Sequence, residues 1–224
     1  MHEHDTHAHD TDRDILSRRQ FAQAALASAG LFVAGPALAQ PRQELAPTAE
    51  SPLGPFYPLH PLAETDADLT RLAGHRSRAR GTVIELTGRI RDVRGNPIAG
   101  ARLELWQANA AGRYMHELDP AVAPLDPDFQ GYARLVTGAD GSYRFTTIKP
   151  GGYDSPIGHR PPHLHFDLRG RVYRTVAQMY FPEEAEGNAR DTLYGALGSD
   201  AASSVAARNP ADPNKYRWDI VLLG

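Results

Sequence analysis

Two histidines separated by a single residue are the sharpest chemical feature of this sequence. They are His163 and His165, in the segment Pro162-His163-Leu164-His165-Phe166. In a β-strand, residues two apart share one face and lie about 7 Å apart along the chain. Both imidazoles are therefore predicted to point the same way, with Leu164 and Phe166 directed into the core. The arrangement suits one metal ion, although two surface histidines on a strand give the same pattern.

Two tyrosines and one arginine adjoin predicted strands in the same half of the chain. Tyr114 lies eight residues after Trp106, beyond the end of a predicted strand, and Tyr153 lies in a loop after another. Arg160 stands three residues before His163. Taken singly, each tyrosine fits an ordinary packing or turn residue and the arginine fits a solvated loop residue. Their combination with the two histidines is what suggests a site.

Composition restricts the chemistry that these residues could perform. The 224 residues include no cysteine, which excludes disulfides, thiolate zinc sites, iron–sulfur clusters and a cysteine nucleophile. Any bound metal must therefore be held by His, Tyr, Asp or Glu. The formal net charge is −3, so there is no basic excess to neutralise phosphates, and we expect no nucleic-acid partner.

The N-terminal segment has the features of an export signal. The pair Arg18-Arg19 leads into a 15-residue apolar run, 21–35, and Ala37 and Ala39 fit a cleavage site before Gln40. The run is too short and too rich in alanine to span a bilayer comfortably. A buried or amphipathic helix is the alternative, but polar residues do not recur there at a helical period. We predict a twin-arginine signal peptide at 1–39, no stable membrane anchor, and a periplasmic or extracellular destination.

The segment 40–80 is predicted to be an extended N-terminal arm. It has little periodicity, and 51–58 contains three prolines in eight residues, which excludes a helix or a central strand. From residue 81 the pattern changes to a period of two, with Ile84, Leu86 and Ile90 on one face.

Further strands with glycine- and proline-rich turns predict an all-β chain. Glycine and proline together account for 38 residues, and one short helix is predicted at 188–197. The segment 138–142 has the composition of a hairpin turn. We predict an antiparallel β-sandwich over 81–224, with an extended arm and long loops. The additional strands are predicted near 101–105, 132–136, 143–148, 163–168, 172–181 and 216–223.

Together, these motifs resemble the intradiol ring-cleavage dioxygenases, the family of protocatechuate 3,4-dioxygenase and catechol 1,2-dioxygenase. The resemblance extends from about Gly54 to about Leu197, which is most of the chain after residue 39. Several motifs occur in the family's order. The segments that carry it are 54–57 (GPFY), 66–70 (DADLT), 88–92 (GRIRD), 97–107 (PIAGARLELWQ), 112–114 (GRY), 128–131 (DFQG), 147–150 (TIKP), 160–165 (RPPHLH) and 178–182 (QMYFP).

The resemblance implies a mononuclear non-haem Fe(III) cofactor with four protein ligands. Fe(III) prefers phenolate and imidazole to thiolate, and a bound metal allows a tyrosine with an ordinary pKa near 10 to bind as phenolate. By the same resemblance, an arginine acts in catalysis, a glutamine lines the substrate pocket and an N-terminal segment closes over the substrate. The ligands correspond here to Tyr114, Tyr153, His163 and His165. The catalytic arginine corresponds to Arg160 and the pocket glutamine to Gln178. The closing segment corresponds to Gly54, Pro55 and Phe56.

The implied reaction opens the ring of a catechol-type substrate with O₂. Cleavage falls between the two hydroxyl-bearing carbons and gives a cis,cis-muconate-type diacid, a step of aromatic hydrocarbon catabolism. By resemblance, Tyr153 is the ligand that leaves and takes a substrate proton, while Arg160 stabilises the charge that develops on the ring. We also expect a homo-oligomer. Only six residues separate Tyr153 from Arg160, a shorter loop than in the protocatechuate-type enzymes. The resemblance therefore does not identify which catechol derivative is the substrate.

Two other functions compete with this interpretation. A zinc hydrolase would use His163, His165 and a third ligand, for which His159 and Asp167 are candidates. A non-catalytic sandwich that binds a ligand or partner would need none of this chemistry.

Overall fold

The computed structural model of the chain describes residues 43–60 and 62–223. The predicted signal peptide, 1–39, lies outside these residues. Within the described part of the chain, no helix is long and apolar enough to cross a bilayer. The strands are β1 (Val83–Asp92), β2 (Arg102–Trp106), β3 (Tyr132–Val136), β4 (Ser142–Ile148), β5 (Tyr153–Ser155), β6 (Gly158–Arg160), β7 (His163–Arg169), β8 (Arg174–Tyr180), β9 (Ala207–Arg208), β10 (Lys215–Arg217) and β11 (Ile220–Leu222), and the helices are α1 (Ala185–Arg190) and α2 (Thr192–Ala196).

The strands form a β-sandwich, which confirms the predicted fold class. The first sheet has the order β11-β1-β10-β9, with β4 paired to the other side of β1, and the second has the order β3-β2-β7-β8. A separate two-stranded ribbon, β5-β6, lies in the chain between β4 and β7. Long loops join β2 to β3 and β8 to β9, and the second contains both short helices.

The core lies between the two sheets, where the apolar residues of each strand meet. Leu86 from β1 and Phe145 from β4 are fully buried in it, as are Leu164 and Phe166 from β7. The Phe166 ring lies 6.2 Å from that of Phe145, between their centroids. Because side chains alternate along a strand, burial of these β7 residues places His163 and His165 on the outer face of the second sheet.

Two features of the sandwich differ from the predicted antiparallel hairpins. The strand β1 pairs in parallel with β10 and β11, so the first sheet is mixed. The turn 138–142 does form, with the amide of Gly141 donating to the carbonyl of Gly138 over 3.0 Å. However, β3 pairs with β2 and β4 pairs with β1, so the turn joins the two sheets and the predicted hairpin is wrong.

Residues 43–60, the first described part of the arm, cross the outer face of the second sheet without helix or strand. The amide of Ser51 donates to the carbonyl of Val176 on β8 over 2.8 Å. The hydroxyl of Tyr57 hydrogen-bonds to the buried carboxylate of Glu104 on β2. The arm is therefore held at two points on the sheet face that also bears the histidines.

Candidate metal centre and its pocket

Three predicted ligand atoms converge at one end of the outer face. The Nε2 atoms of His163 and His165 lie 3.1 Å apart, and the hydroxyl of Tyr114 lies 3.0 Å from Nε2 of His165. The histidines come from β7, whereas Tyr114 comes from the loop after β2. The hydroxyl of Tyr153, at the start of β5, interacts with that of Tyr114, and their rings are 5.4 Å apart. All four predicted ligands are thus brought together.

The two imidazoles are in the protonation state that a metal requires. Nδ1 of His163 lies 2.7 Å from the carbonyl oxygen of Pro161, which can only accept, so Nδ1 carries the proton and Nε2 presents a lone pair. Burial, followed by the positive charge of Arg160, lowers the pKa of His163 to about 3. Burial and then the neighbouring His163 hold the pKa of His165 well below its usual value. Both rings are therefore neutral at neutral pH.

The two phenols are neutral in this environment without a cation. Burial raises the pKa of Tyr114 well above 10, and the adjacent Tyr153 raises it further. Burial also raises the pKa of Tyr153, although the hydrogen bond with Tyr114 and the charge of Arg160 oppose this shift. A metal ion at the point of convergence would lower the pKa of both phenols, because its positive charge stabilises the phenolate form.

On the Nδ1 side, packing and not a hydrogen bond fixes the ring of His165. Its Nδ1 is buried and has no hydrogen-bond partner among the described residues. The ring instead stacks on Trp106 of β2 at 5.0 Å and 16°. On its other edge the backbone of Gly54 approaches so closely that an added Cβ would lie 3.4 Å from Cε1 of His165. Gly54 also has φ = +79°, a conformation that favours glycine.

Arg160 is buried beside the ligands and firmly anchored. Its Nε donates to Oδ2 of Asp191 over 2.6 Å, and its Nη2 donates to Oε1 of Gln178 over 2.7 Å and to the hydroxyl of Tyr180 over 3.2 Å. Asp191 is itself fixed as the N-cap of α2, where its Oδ1 accepts from two backbone amides. The guanidinium is thus held in one orientation, unlike a solvated loop arginine.

A cavity of about 470 Å³ opens beside these groups, a volume typical of small-molecule sites. Gly54, Pro55 and Phe56 line it from the arm, so the predicted closing segment reaches the pocket. Phe56 packs on the ring of Tyr114 at 4.6 Å. The other predicted site residues in its wall are Tyr153, Arg160, His165 and Gln178.

The donor set fits a ferric ion better than zinc. Two neutral imidazoles with two phenols supply hard oxygen and borderline nitrogen donors, and the lone pair of His163 already faces the other donors. The third zinc ligands considered from sequence are engaged elsewhere: Asp167 binds Arg169 and Arg174, and the exposed His159 binds Asp154. Across 43–60 and 62–223, no group of three His, Asp or Glu residues could hold a metal.

Three residues of the site carried no role in the sequence interpretation. Asp191, Tyr180 and Trp106 anchor Arg160 or His165 from other elements. An aspartate before a short helix is a recognisable N-cap signal, but nothing in the sequence links Asp191 to Arg160. His116 is half-buried and contacts the arm, with its Nε2 3.1 Å from the carbonyl oxygen of Tyr57.

Comparison with known proteins gives a consistent result. A family profile described as dioxygenase matches residues 53–224. The β chain of protocatechuate 3,4-dioxygenase from Burkholderia cepacia is 41% identical over 181 residues, covering 76% of this chain and 77% of the relative. The α chain from the same organism is 30% identical over 153 residues, covering 65% of this chain and 75% of the relative.

The fold is also shared with solved structures. An intradiol ring-cleavage dioxygenase from Tetranychus urticae superimposes with a TM-score of 0.63 at 20% identity. The match covers 79% of this chain and 94% of that one.

Proposed function

This chain belongs to the intradiol ring-cleavage dioxygenase family, and we propose that it is an Fe(III)-dependent enzyme that opens the ring of a catechol-type substrate between its two hydroxyl-bearing carbons. The convergence of Tyr114, His163 and His165 within 3.1 Å, beside Tyr153, is the observation that carries the proposal. The reaction balances as catechol plus O₂ giving a cis,cis-muconic acid, because both oxygen atoms enter the product.

Four side chains hold the ferric ion: Tyr114, Tyr153, His163 and His165. When bound, the ion acts as a Lewis acid that favours the catecholate form of the substrate and makes its ring reactive towards O₂. The carbonyl of Pro161 and the ring of Trp106 orient the two imidazoles, the function of groups around a metal site.

Tyr153 accepts a proton from the substrate at its phenolate oxygen. It is half-buried and lines the cavity, whereas Tyr114 is only 2% exposed and lies behind it. Of the two phenols, Tyr153 is therefore the one that a bound catechol can reach.

Arg160 stabilises the negative charge that develops on the ring. Its guanidinium is fixed before substrate arrives by Asp191, Gln178 and Tyr180, so little reorganisation is needed during the reaction. The arm supports this by covering the ligands, with Phe56 packed on Tyr114 and 6.3 Å from the ring of Tyr153. Water is thereby kept from the reacting ring.

Oxygen uptake by the iron-loaded protein tests the proposal. We expect one O₂ consumed per catechol, by a burgundy protein with about one iron per chain, since phenolate bound to Fe(III) absorbs visible light. Colourless protein with stoichiometric zinc, or catechols that consume no O₂, would contradict it and favour the hydrolase or the binding sandwich.

We further propose twin-arginine export to the periplasm or beyond, and assembly as a homo-oligomer. The pair Arg18-Arg19 before an apolar run supports the first, and relatives that consist of α and β chains support an assembly. Cell fractionation of Arg18→Lys/Arg19→Lys protein tests export, which should fail. Sedimentation of the purified chain tests assembly, and a monomer would contradict it.

A further inference from the structure

The cavity has one polar end and one apolar end. Tyr153, Arg160, His165 and Gln178 make the polar end. The rest of the wall is largely apolar and comes from the arm, which contributes Pro52, Pro55 and Phe56, and from two loops and α2. The apolar members from the loops and α2 are Leu118, Pro120, Pro156, Ile157 and Leu193.

The β5-β6 ribbon sets the direction from one end to the other. Tyr153 pairs with Arg160 at its base, and Ser155 pairs with Gly158 two positions further on, about 7 Å along the ribbon. Ile157 lies in the turn beyond this pair and is 50% exposed. A ring held by its hydroxyls near Tyr153 and Arg160 therefore directs its far substituent towards the apolar turn.

The charges of the cavity wall are unfavourable to an anionic substituent. Arg160 is the one lysine or arginine among the described lining residues, and its Nε and Nη2 are already bound to Asp191 and Gln178. Two carboxylates, Asp119 and Asp154, also line the cavity. A substituent carboxylate would meet like charges there, and the described lining offers it no lysine or arginine other than Arg160.

We infer that this site selects catechols whose ring substituent is uncharged and apolar, and that it discriminates against the carboxylated ring of protocatechuate. The inference rests on the proposed ring-cleaving function and specifies its substrate class. It separates this chain from relatives that are named for protocatechuate, because the selectivity comes from Leu118, Ile157 and the two carboxylates.

A matched pair of substrates tests the inference. Protocatechuate and its methyl ester differ in charge, whereas both carry an electron-withdrawing carbonyl. We expect kcat/KM for the ester to exceed that for protocatechuate at least about tenfold. We also expect kcat/KM to rise about fourfold per methylene from 4-methyl- to 4-propylcatechol, as for burial of apolar surface. Protocatechuate equal to or better than its ester would overturn the inference.

Binding separates a failure of the inference from a failure of the proposed function. If no catechol consumes O₂, the ring-cleaving function is wrong. Calorimetry of the same iron-loaded protein with protocatechuate and its ester still decides the selectivity. Tighter binding of the ester supports the inference, and equal or weaker binding contradicts it.

A charge placed in the apolar turn gives a second test. Ile157→Arg is expected to raise kcat/KM for protocatechuate about tenfold and to lower it for 4-propylcatechol. Val172→Arg is the matched control, because Val172 is exposed in the β7–β8 turn and does not line the cavity. It should leave the preference unchanged. The inference fails if Ile157→Arg does not alter the ratio of the two substrates or if Val172→Arg alters it equally.

Discussion

At the residue scale, the site is defined by side chains that are neutral where they are buried. The neutral rings of His163 and His165 direct their Nε2 atoms at a common position, and the phenols of Tyr114 and Tyr153 lie beside it. Neutral buried side chains avoid the cost of an unpaired charge, and only the two phenols lose a proton when a cation arrives. The cluster is therefore prepared for a metal before the metal binds.

Tyr114→Phe should remove most of the iron. The change keeps the ring that packs on Phe56 but deletes the oxygen that lies 3.0 Å from His165. We expect iron affinity to fall by more than about tenfold, with loss of the visible absorption. Metal analysis and the absorption spectrum measure this. Tyr132→Phe is the control, and wild-type iron content in Tyr114→Phe protein would contradict the ligand assignment.

Asp191→Asn should disturb catalysis without removing iron. Asparagine still caps α2, but its amide nitrogen would face Nε of Arg160, where the carboxylate oxygen now accepts at 2.6 Å. A displaced guanidinium is expected to lower kcat about 100-fold. Steady-state kinetics per bound iron measures the effect, with the exposed Asp200→Asn as control. An unchanged kcat, or a loss that follows lost iron, would refute the positioning role.

At the element scale, the arm and the short turn after β8 connect the site to the sandwich. Residues 43–60 of the arm form no strand and depend on single contacts such as that between Tyr57 and Glu104. The turn Pro182–Glu184 connects β8, which carries Gln178, to the helices that carry the N-cap Asp191. A small displacement of the arm or of this turn should therefore alter the geometry of the pocket.

Tyr57→Phe should loosen the arm. Glu104 keeps its contacts with Arg102 and Arg134, and the ring keeps its edge contact with Trp106. The lost hydrogen bond to a buried carboxylate should lower the free energy of unfolding by about 1–3 kcal/mol and raise KM. Urea titration and kinetics test both, against Tyr173→Phe on the surface. A wild-type urea midpoint would show that the contact does not hold the arm.

Glu183 should contribute to acid sensitivity. Burial opposes its charge, but hydrogen bonds from Tyr216 at 2.5 Å and Lys149 at 2.9 Å outweigh burial and lower the pKa of Glu183. A lowered folded pKa stabilises the fold above the ordinary pKa of glutamate, and the contribution is lost as pH falls through the folded value.

Glu183→Gln should therefore be less stable than wild type at pH 7, and the difference should shrink below about pH 4. Thermal unfolding at a series of pH values measures how the stability of the wild type and of the variant depends on pH. The matched control is Glu186→Gln, whose carboxylate is exposed and makes only an i,i+4 contact with Arg190 at 3.7 Å. A stability difference that does not change between pH 7 and about pH 2 would contradict the linkage.

At the scale of the whole molecule, the core that stabilises the sandwich and the candidate site lie on opposite faces of the second sheet. The inner faces of both sheets are packed with apolar residues such as Leu86, Phe145 and Phe166. The outer face of the second sheet carries the ligands, and loops from distant parts of the chain cover it. The same strand, β7, supplies core residues on one face and the proposed metal ligands His163 and His165 on the other.

Features that depend on local sequence could be predicted. Alternation along β7 sufficed to place His163 and His165 on one face and Leu164 in the core, because the period of a strand is fixed. The three prolines of 51–58 likewise predicted an arm without regular structure. The family resemblance then grouped Tyr114 and Tyr153 with the histidines, which spacing alone did not do.

Features that depend on distant partners could not be predicted. The turn 138–142 has hairpin composition, yet turn chemistry does not determine which sheet each flanking strand joins. The parallel pairing of β1 with β10 joins residues 130 apart. The bond between Arg160 and Asp191 is likewise a product of tertiary packing. Such contacts appear only when the whole sandwich is assembled.

The position of ring cleavage tests the central proposal most directly. The iron-loaded protein is incubated with catechol and O₂, and the product is identified by NMR. We expect cis,cis-muconic acid, from cleavage between the two hydroxyl-bearing carbons. A semialdehyde of the same mass, from cleavage beside the hydroxyls, would contradict the assignment of this chain's chemistry.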